Sequence, residues 1–290
     1  MDHQKQFVVV ILATRTGLGL EYSDEKIPAV LPFGEHPLLI HHLCNAIESA
    51  FLDIIVVHES GNTDVPGCIG QYQSCYSSYF HSAHIKCVEI PLEISRESAT
   101  ILLHIQHHIK SSCVVIEGNS AFQFPLYKLV DTHIIKGSVC TVVLKDRGEK
   151  GLPEGAIKTV IGYEESSSQL AVWMADDENY TISSDTFVKF PCIRMSPCIE
   201  NIGVYAFDQS IFGIMQKHAF HTIGMELIPT LVNLQITGPS LTESASSPAS
   251  SFNLYCFLLK GEMGERITSP TSLKLVQNML KKSQLPFKKT

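Results

Sequence analysis

The sequence has little of what marks several common classes of protein. Its 290 residues carry a net charge of −7, and the basic doublets are confined to Lys281-Lys282 and Lys288-Lys289. A protein that binds a phosphate backbone carries a basic patch, so we expect no nucleic-acid partner. No apolar stretch is long enough to span a membrane, and the N-terminal run Phe7–Ala13 lacks a signal-peptide cleavage pattern. These absences predict a cytosolic protein without a membrane partner.

Metal and nucleophile motifs are also missing. The nine cysteines include no C-x-x-C pair, and most lie in apolar runs, which indicates free buried thiols in a reducing compartment. No G-x-S-x-G motif of a serine hydrolase occurs. His104, His107 and His108 have helical spacing, but no carboxylate or cysteine reinforces them, so a solvated helix edge is favoured over a metal site. We therefore expect no metal and no cofactor.

The first half of the chain alternates short apolar runs with segments of helical periodicity. This alternation predicts an α/β fold with a mostly parallel, three-layer, Rossmann-like sheet. The expected strands are Phe7–Ala13, Asp53–His58, Ile85–Ile90, Cys113–Glu117 and Ser138–Leu144, and the expected helices are Pro37–Phe51, Ser98–Ile109 and Pro125–Ile135.

The second half predicts a mixed extension of that sheet. A hairpin, two further strands, three helices and a loop around Cys192 and Cys198 are expected there. The hairpin strands are Ile157–Tyr163 and Leu170–Met174, the other strands Asn201–Phe207 and Phe252–Leu259, and the helices run from about Asp208 to His218, over Met225–Leu234 and over Ser272–Lys282. The Ser-rich stretch 237–251 predicts a mobile linker. We divide the chain into a domain over 1–267 and a C-terminal helix and tail over 268–290.

The loop after the first strand is the candidate nucleotide site, because parallel sheets bind ligands at the carboxyl ends of their strands. Nucleotidyl transfer needs a glycine-rich loop whose N–H groups hold phosphates, cations for the leaving pyrophosphate, and a carboxylate for Mg²⁺. Sugar-nucleotide pyrophosphorylases have the same ground plan as Phe7–Leu39. Counted without gaps, their loop glycines fall on Thr14 and Arg15, and their arginine on Leu18.

Two further positions depart from the pyrophosphorylase pattern. Their lysine falls on Pro28, and the aspartate that ends a later strand falls on Asn119, whose amide binds Mg²⁺ poorly. We therefore interpret the site as degenerate and predict no catalytic residue and no enzyme. The degenerate nucleotide-loop positions are Ala13, Thr14, Arg15, Gly17, Leu18, Gly19 and Pro28, and the degenerate metal position is Asn119.

Other charged residues keep two alternatives open. Arg15 and Lys26 could supply replacement cations, and Glu117 could act as a displaced metal ligand. The chain would then be an active NTP:sugar-phosphate nucleotidyltransferase. It could also be a sensor that binds a nucleotide without turning it over.

Four stretches resemble the gamma subunits of eukaryotic translation initiation factor two-B. They are Phe7–Leu39, Cys113–Leu144, Gly224–Gln235 with its E-L-I-P-x-L-V run, and Phe252–Asn278. The resemblance implies a nucleotidyltransferase-like, noncatalytic subunit that supports GDP/GTP exchange on initiation factor two. It implies assembly with an epsilon subunit and with a core of alpha, beta and delta subunits. Family members also carry a left-handed β-helix of hexapeptide repeats, which this sequence does not show.

Overall fold

The computed structural model describes residues 6–15, 27–94, 96–148, 151–152, 159–175, 181–238 and 252–280. Within these ranges the strands are β1 (Phe7–Ala13), β2 (Pro32–Phe33), β3 (His36–Pro37), β4 (Asp53–Glu59), β5 (His84–Ile90), β6 (Ser112–Glu117), β7 (Ser120–Phe122), β8 (Cys140–Asp146), β9 (Thr159–Glu164), β10 (Leu170–Ala175), β11 (Ile193–Ser196), β12 (Ile199–Phe207), β13 (Leu254–Leu259) and β14 (Gly264–Arg266). The helices are α1 (Leu38–Glu48), α2 (Asp64–Cys75), α3 (Ser77–Phe80), α4 (Ser98–His104), α5 (Leu126–Ile135), α6 (Ser184–Lys189), α7 (Ile211–Met215), α8 (Ile228–Thr237) and α9 (Pro270–Leu280).

A seven-stranded sheet forms the centre, in the order β13-β8-β12-β6-β1-β4-β5. Every neighbouring pair in it is parallel except the two pairs made by β12, which runs against both β6 and β8. The predicted α/β class with a mostly parallel sheet is therefore confirmed.

Strand β1 shows why the fold has three layers. All seven of its residues are buried, as expected of a central parallel strand covered on both faces. Val8, Val10 and Leu12 belong to the apolar cluster that includes α4, α7 and α8. Val9 and Ile11 point to the other face, into the cluster that includes α1, α2 and α5.

Three smaller sheets surround the central one. β10, β9 and β11 form an antiparallel sheet, which is the predicted mixed extension. β7 pairs with β14, and β2 pairs with β3. Helix α9 packs through Val276 against Phe33, Leu38 and Ile267. The pairing of β14 matters for function because it brings the chain near residue 266 back to the end of β6.

Several predicted elements have different limits in the structure. The region predicted as one helix over Ser98–Ile109 is α4 followed by a 3-10 turn at Gln106–His108. The helix predicted from Asp208 begins only at Ile211, because the Asp208 side chain accepts a hydrogen bond from the N–H of Ser210 and forms a turn there.

Two more predictions need correction. The helix predicted over Met225–Leu234 starts as a π-helical turn, Ile223–Leu227, and becomes α-helical at Ile228. Pro229 fits the first turn of this α-helix, because an N–H group at that position would have no helical partner. The loop predicted around Cys192 and Cys198 contains strand β11, which pairs with β9. The predicted linker at 237–251 lies outside the described residues after Gly238.

Candidate functional site

The ends of β1, β4 and β6 meet at one edge of the central sheet. The N–H of Gly118 donates a hydrogen bond of 2.9 Å to the carbonyl of Leu12, which ties the end of β6 to the end of β1. A Cβ atom at Gly118 would lie 2.5 Å from that carbonyl oxygen, so this approach requires glycine. The chain segments after β1 and β6 therefore lie side by side.

Arg15, the second residue after β1, is bound to the last residue of β4. Its backbone N–H donates to Oε1 of Glu59 at 3.1 Å, and its Nη1 lies 3.1 Å from Oε2. The Glu59 carboxylate is only 3% exposed. Arg15, one of the two possible replacement cations, therefore has the buried carboxylate of Glu59 as its neighbour.

Glu117, the last residue of β6, forms a buried ion pair with Arg266 of β14. Their side chains are 2% and 10% exposed. Burial lowers the pKa of Arg266 to about 10, which leaves the guanidinium charged at neutral pH. A metal ion at Glu117 would have to displace this guanidinium or accept its repulsion.

Asn119 holds the segment that carries Arg266. Its backbone carbonyl accepts the N–H of Ile267 at 2.8 Å, and its side-chain Nδ2 donates to the carbonyl of Ile267 at 3.2 Å. Asn119 is fully buried. An amide suits this position because it can donate, whereas an ionised carboxylate would set a negative charge against a carbonyl oxygen.

A second set of buried charges lies on the other side of β14. Arg147 donates from Nε to Oε2 of Glu200 at 2.6 Å and also contacts Glu265, which accepts from Lys145 at 2.6 Å. Burial raises the pKa of Glu200. Burial lowers the pKa of Arg147, but its contacts with Glu265 and Glu200 outweigh this effect and raise it overall. These pairs fix β14 and, with it, the position of Arg266.

A cavity of about 80 Å³ opens between these charged groups and β10. Its wall includes Glu117, Trp173, Glu200, Thr222, Arg266 and Thr268. The site at the strand ends is thus a small, partly enclosed space whose wall combines an aromatic ring with carboxylates, guanidinium groups and hydroxyls.

The structure brings together only part of the predicted site. Ala13, Thr14, Arg15 and Asn119 lie at the meeting strand ends, and Pro28 begins a buried 3-10 turn, Pro28–Val30, whose Ala29 packs in the same apolar cluster as Ala13. Gly17, Leu18, Gly19 and Lys26 lie outside the described residues.

Three residues at this edge were not predicted. Glu59 ends a predicted strand, and that position is the signal by which it could have been found. Arg266 and Trp173 carry no local signal, because they reach the cavity only through the pairing of β14 with β7 and through the packing of β10.

Other predicted features are not part of this site. His107 and His108 lie with ring centroids 3.9 Å apart in the turn after α4. Across the part of the chain that the structure describes, no three histidine, cysteine or acidic residues gather as a metal site. Within the same residues, no helix is both long and apolar enough to pass through a bilayer.

Comparison with known proteins places the fold. No protein-family model matches the chain, and no curated protein sequence does. The solved structures that resemble it include the 2.76 Å crystal structure of a candidate glucose-1-phosphate thymidylyltransferase from Bacillus anthracis in complex with a sucrose. That likeness has a TM-score of 0.64 at 11% identity and covers 97% of each chain.

This likeness confirms a nucleotidyltransferase-like fold and corrects one conclusion from the sequence. The prediction that the chain is not an enzyme is wrong as drawn, because the fold that it shares is the fold of an enzyme. At 11% identity the likeness shows the fold alone and not an activity. The likeness gives no support to the resemblance to an exchange-factor subunit. What it shows is that the chain is similar to nucleotidyltransferases in fold.

Proposed function

We propose that the chain is a nucleotidyltransferase-like subunit of a guanine-nucleotide exchange complex for translation initiation factor two. It would support GDP/GTP exchange in the cytosol by assembling with an epsilon-type subunit and an alpha, beta and delta core. The observation that carries this proposal is the pairing of Arg266 with Glu117 and of Arg15 with Glu59. The charged groups at the strand ends thus hold the scaffold together, as a role in assembly requires.

The segment with the most specific resemblance adds support. In the run Glu226–Val232, Leu227, Ile228 and Leu231 are fully buried in the cluster beneath the sheet. The carboxylate of Glu226 accepts the N–H of His221 at 2.8 Å and closes the turn that precedes it. The run is therefore part of the core beneath the sheet, and the two residues before it, Gly224 and Met225, line the cavity.

Affinity purification tests the assembly. The tagged chain would be co-expressed with an epsilon-type subunit and, separately, with the alpha, beta and delta subunits. We expect a stoichiometric complex with the epsilon-type subunit and faster GDP release from initiation factor two when the complex is complete. A chain that elutes alone in both cases, while the other subunits assemble with each other, would refute the proposal.

A second candidate function is nucleotidyl transfer, which the fold likeness favours. The test is pyrophosphate release from nucleoside triphosphates, sugar 1-phosphates and Mg²⁺. A rate that disappears in Asn119→Ala and Glu117→Gln, while circular dichroism shows both variants to be folded, would assign transfer to this edge of the sheet. Thermal stabilisation by a nucleotide without pyrophosphate release would assign nucleotide sensing instead, since a ligand that binds only the folded form stabilises it.

A further inference from the structure

A second cavity lies between strand β10 and helices α6 and α8. Its volume is about 160 Å³. Among the described residues, only Trp173 belongs both to its wall and to the wall of the cavity at the strand ends, so the two spaces are separate. An apolar cavity of about 150 Å³ binds one benzene molecule. The second cavity therefore has room for a molecule with one six-membered ring.

Apolar side chains from three parts of the chain form much of the wall. They are Val172 and Met174 of β10, Ile182 before α6, and Val232 and Ile236 of α8. Val172 and Val232 are each only 3% exposed, and Val172 packs in one apolar cluster with Met174, Ile182 and Ile236. Packing within the protein thus holds these side chains in place, as is usual for a preformed small-molecule site.

The wall carries no charge of its own. None of the described residues that line the cavity is ionisable, and β10 and α8 contain no ionisable residue at all. Helix α6 has two, Asp185 and Lys189, and both lie outside the wall; the Nζ atom of Lys189 donates to the carbonyl of Gln235. A charged ligand would lose its hydration here without gaining a counter-charge. The wall therefore favours an uncharged ligand.

Strand β10 presents backbone hydrogen-bonding groups along the cavity. It is the end strand of its sheet and pairs there with β9. Four successive residues, Ala171–Met174, line the cavity, and successive side chains of a strand point to opposite faces, so the cavity borders the edge of the strand. In an antiparallel pair, every second residue points its N–H and C=O groups away from the partner strand. The edge of β10 therefore offers a donor and an acceptor side by side.

Helix α6 adds a buried hydroxyl to the wall. Thr186 lines the cavity and is only 2% exposed, and its Oγ1 atom has no hydrogen-bond partner among the described residues. A polar side chain that is buried to this extent is normally hydrogen-bonded. A carboxamide has both an N–H donor and a C=O acceptor, so it can bond to the strand edge and to this hydroxyl at the same time.

We propose that this cavity binds an uncharged molecule that consists of one ring and a carboxamide group. The ring lies against Val232 and Ile236, and the carboxamide bonds to the edge of β10 and to the hydroxyl of Thr186. This inference goes beyond the assembly with exchange-complex subunits and does not depend on it.

Trp173 supplies the probe for the test, because it is the single tryptophan of the chain and lines the cavity. Fluorescence of the full-length protein would be titrated with benzamide and nicotinamide. The same titration with benzoate and nicotinate keeps each ring and replaces the amide with a charged carboxylate. We expect a saturable change with at least one amide, and binding of its carboxylate that is weaker by about tenfold or more. No saturable change with either amide, or a carboxylate that binds as tightly as its amide, would overturn the proposal.

Two substitutions in the wall locate the bound amide. Thr186→Val removes one hydroxyl at nearly constant shape and should weaken binding about three- to tenfold, as expected for one lost hydrogen bond. Ile236→Phe places a larger side chain in the wall and should abolish saturable binding. An amide that binds to both variants as it does to the wild type would occupy the other cavity beside Trp173, and the proposal would then be wrong.

Matched controls separate binding from folding. Thr132→Val removes a surface hydroxyl on α5 that donates to the carbonyl of Lys128. Leu234→Phe makes an aliphatic-to-phenylalanine change on α8 at a residue outside the wall. Both should bind the amide like the wild type. Circular dichroism would establish that each variant is folded, and either wall variant keeps the test valid if the other unfolds.

Discussion

The guanidinium of Arg266 lies against the carboxylate of Glu117. Next to this pair, Asn119 donates a hydrogen bond to Ile267, which lies 148 residues further along the chain. Both side chains of the pair are almost completely buried. A buried charge is tolerated only when it is paired, so each of these two residues depends on the other. The pair therefore joins β14 to the end of β6.

Removing one member of this pair should destabilise the protein strongly. Arg266→Met leaves the Glu117 carboxylate buried without its partner, and the expected loss is about 3–5 kcal/mol in the free energy of unfolding. Urea unfolding followed by circular dichroism measures it. The double variant Arg266→Met with Glu117→Leu should recover most of the loss, because apolar side chains can replace a buried pair. A single variant within about 1 kcal/mol of the wild type would show that the pair does not act as described.

Gly118 should not tolerate a side chain. Gly118→Ala would bring a Cβ atom to 2.5 Å from the carbonyl oxygen of Leu12, and we expect a loss of about 1–3 kcal/mol from the strain. Gly70→Ala is the matched control, because Gly70 is an exposed residue of α2 with open space around it. There alanine should stabilise the helix by about 0.5–1 kcal/mol. Thermal unfolding of both variants measures the difference, and equal melting temperatures would contradict it.

Two histidines of α1, the half-buried His41 and the buried His42, should make the protein less stable in acid. Burial lowers the pKa values of His41 and His42 to about 4, and Nε2 of His42 donates to the carbonyl of Ser120 at 2.6 Å. Between pH 6.5 and 4 the unfolded chain binds protons at these residues and the folded chain does not. Stability is therefore complete above pH 6.5 and falls as the pH drops, by up to about 1.4 kcal/mol per pH unit for each histidine.

Urea unfolding at several pH values between 7 and 4.5 measures this slope. His42→Gln keeps a donor for Ser120 and should make the slope shallower. His107→Gln, which changes an exposed ring, should keep the wild-type slope. A slope that is the same in all three proteins would show that His42 does not cause the acid sensitivity.

Glu59 should limit the affinity of this edge of the sheet for anions. In Glu59→Gln the side chain beside Arg15 loses its negative charge. We expect nucleoside triphosphates to bind about tenfold more tightly to this variant. The reason is that the repulsion between one unit charge and a phosphate is worth on the order of 1–2 kcal/mol at a protein surface. Glu48→Gln makes the same change of charge on the exposed last turn of α1 and serves as the control. Equal affinities in titrations with a fluorescent nucleotide would contradict the role of Glu59.

The sequence predicted the central sheet because its strands are continuous apolar runs with nearby partners. The predicted limits of β1 agree with the structure at both ends, and those of β4 and β5 differ from it by one residue. The agreement is close because polar or turn-forming residues flank each apolar run. Strands β11 and β14 were missed. Their residues are polar or few, and both are strands only because β9 and β7 pair with them.

Only those site residues that directly follow a predicted strand could be predicted from the sequence. Asn119 and Arg15 follow recognisable strands, so their place at the edge of the sheet follows from parallel topology. The partner of Glu117 could not be predicted, because Arg266 reaches it from 149 residues along the chain through a three-residue strand. Tertiary pairing of this kind leaves no periodic pattern in the sequence.

The reversed strand β12 has a consequence for the synthesis of the protein. It lies between β6 and β8 but follows both in the chain, so the edges of these two strands stay open until Phe207 has been made. At roughly 5–20 residues per second, a ribosome takes about 5–20 s to proceed from Glu117 to that point. The edge of β6 lacks its partner throughout this interval, and the edge of β8 lacks it from Asp146 onward, so both are open to aggregation. Nascent chains of this protein should therefore need a chaperone on the ribosome until the middle of the sheet closes.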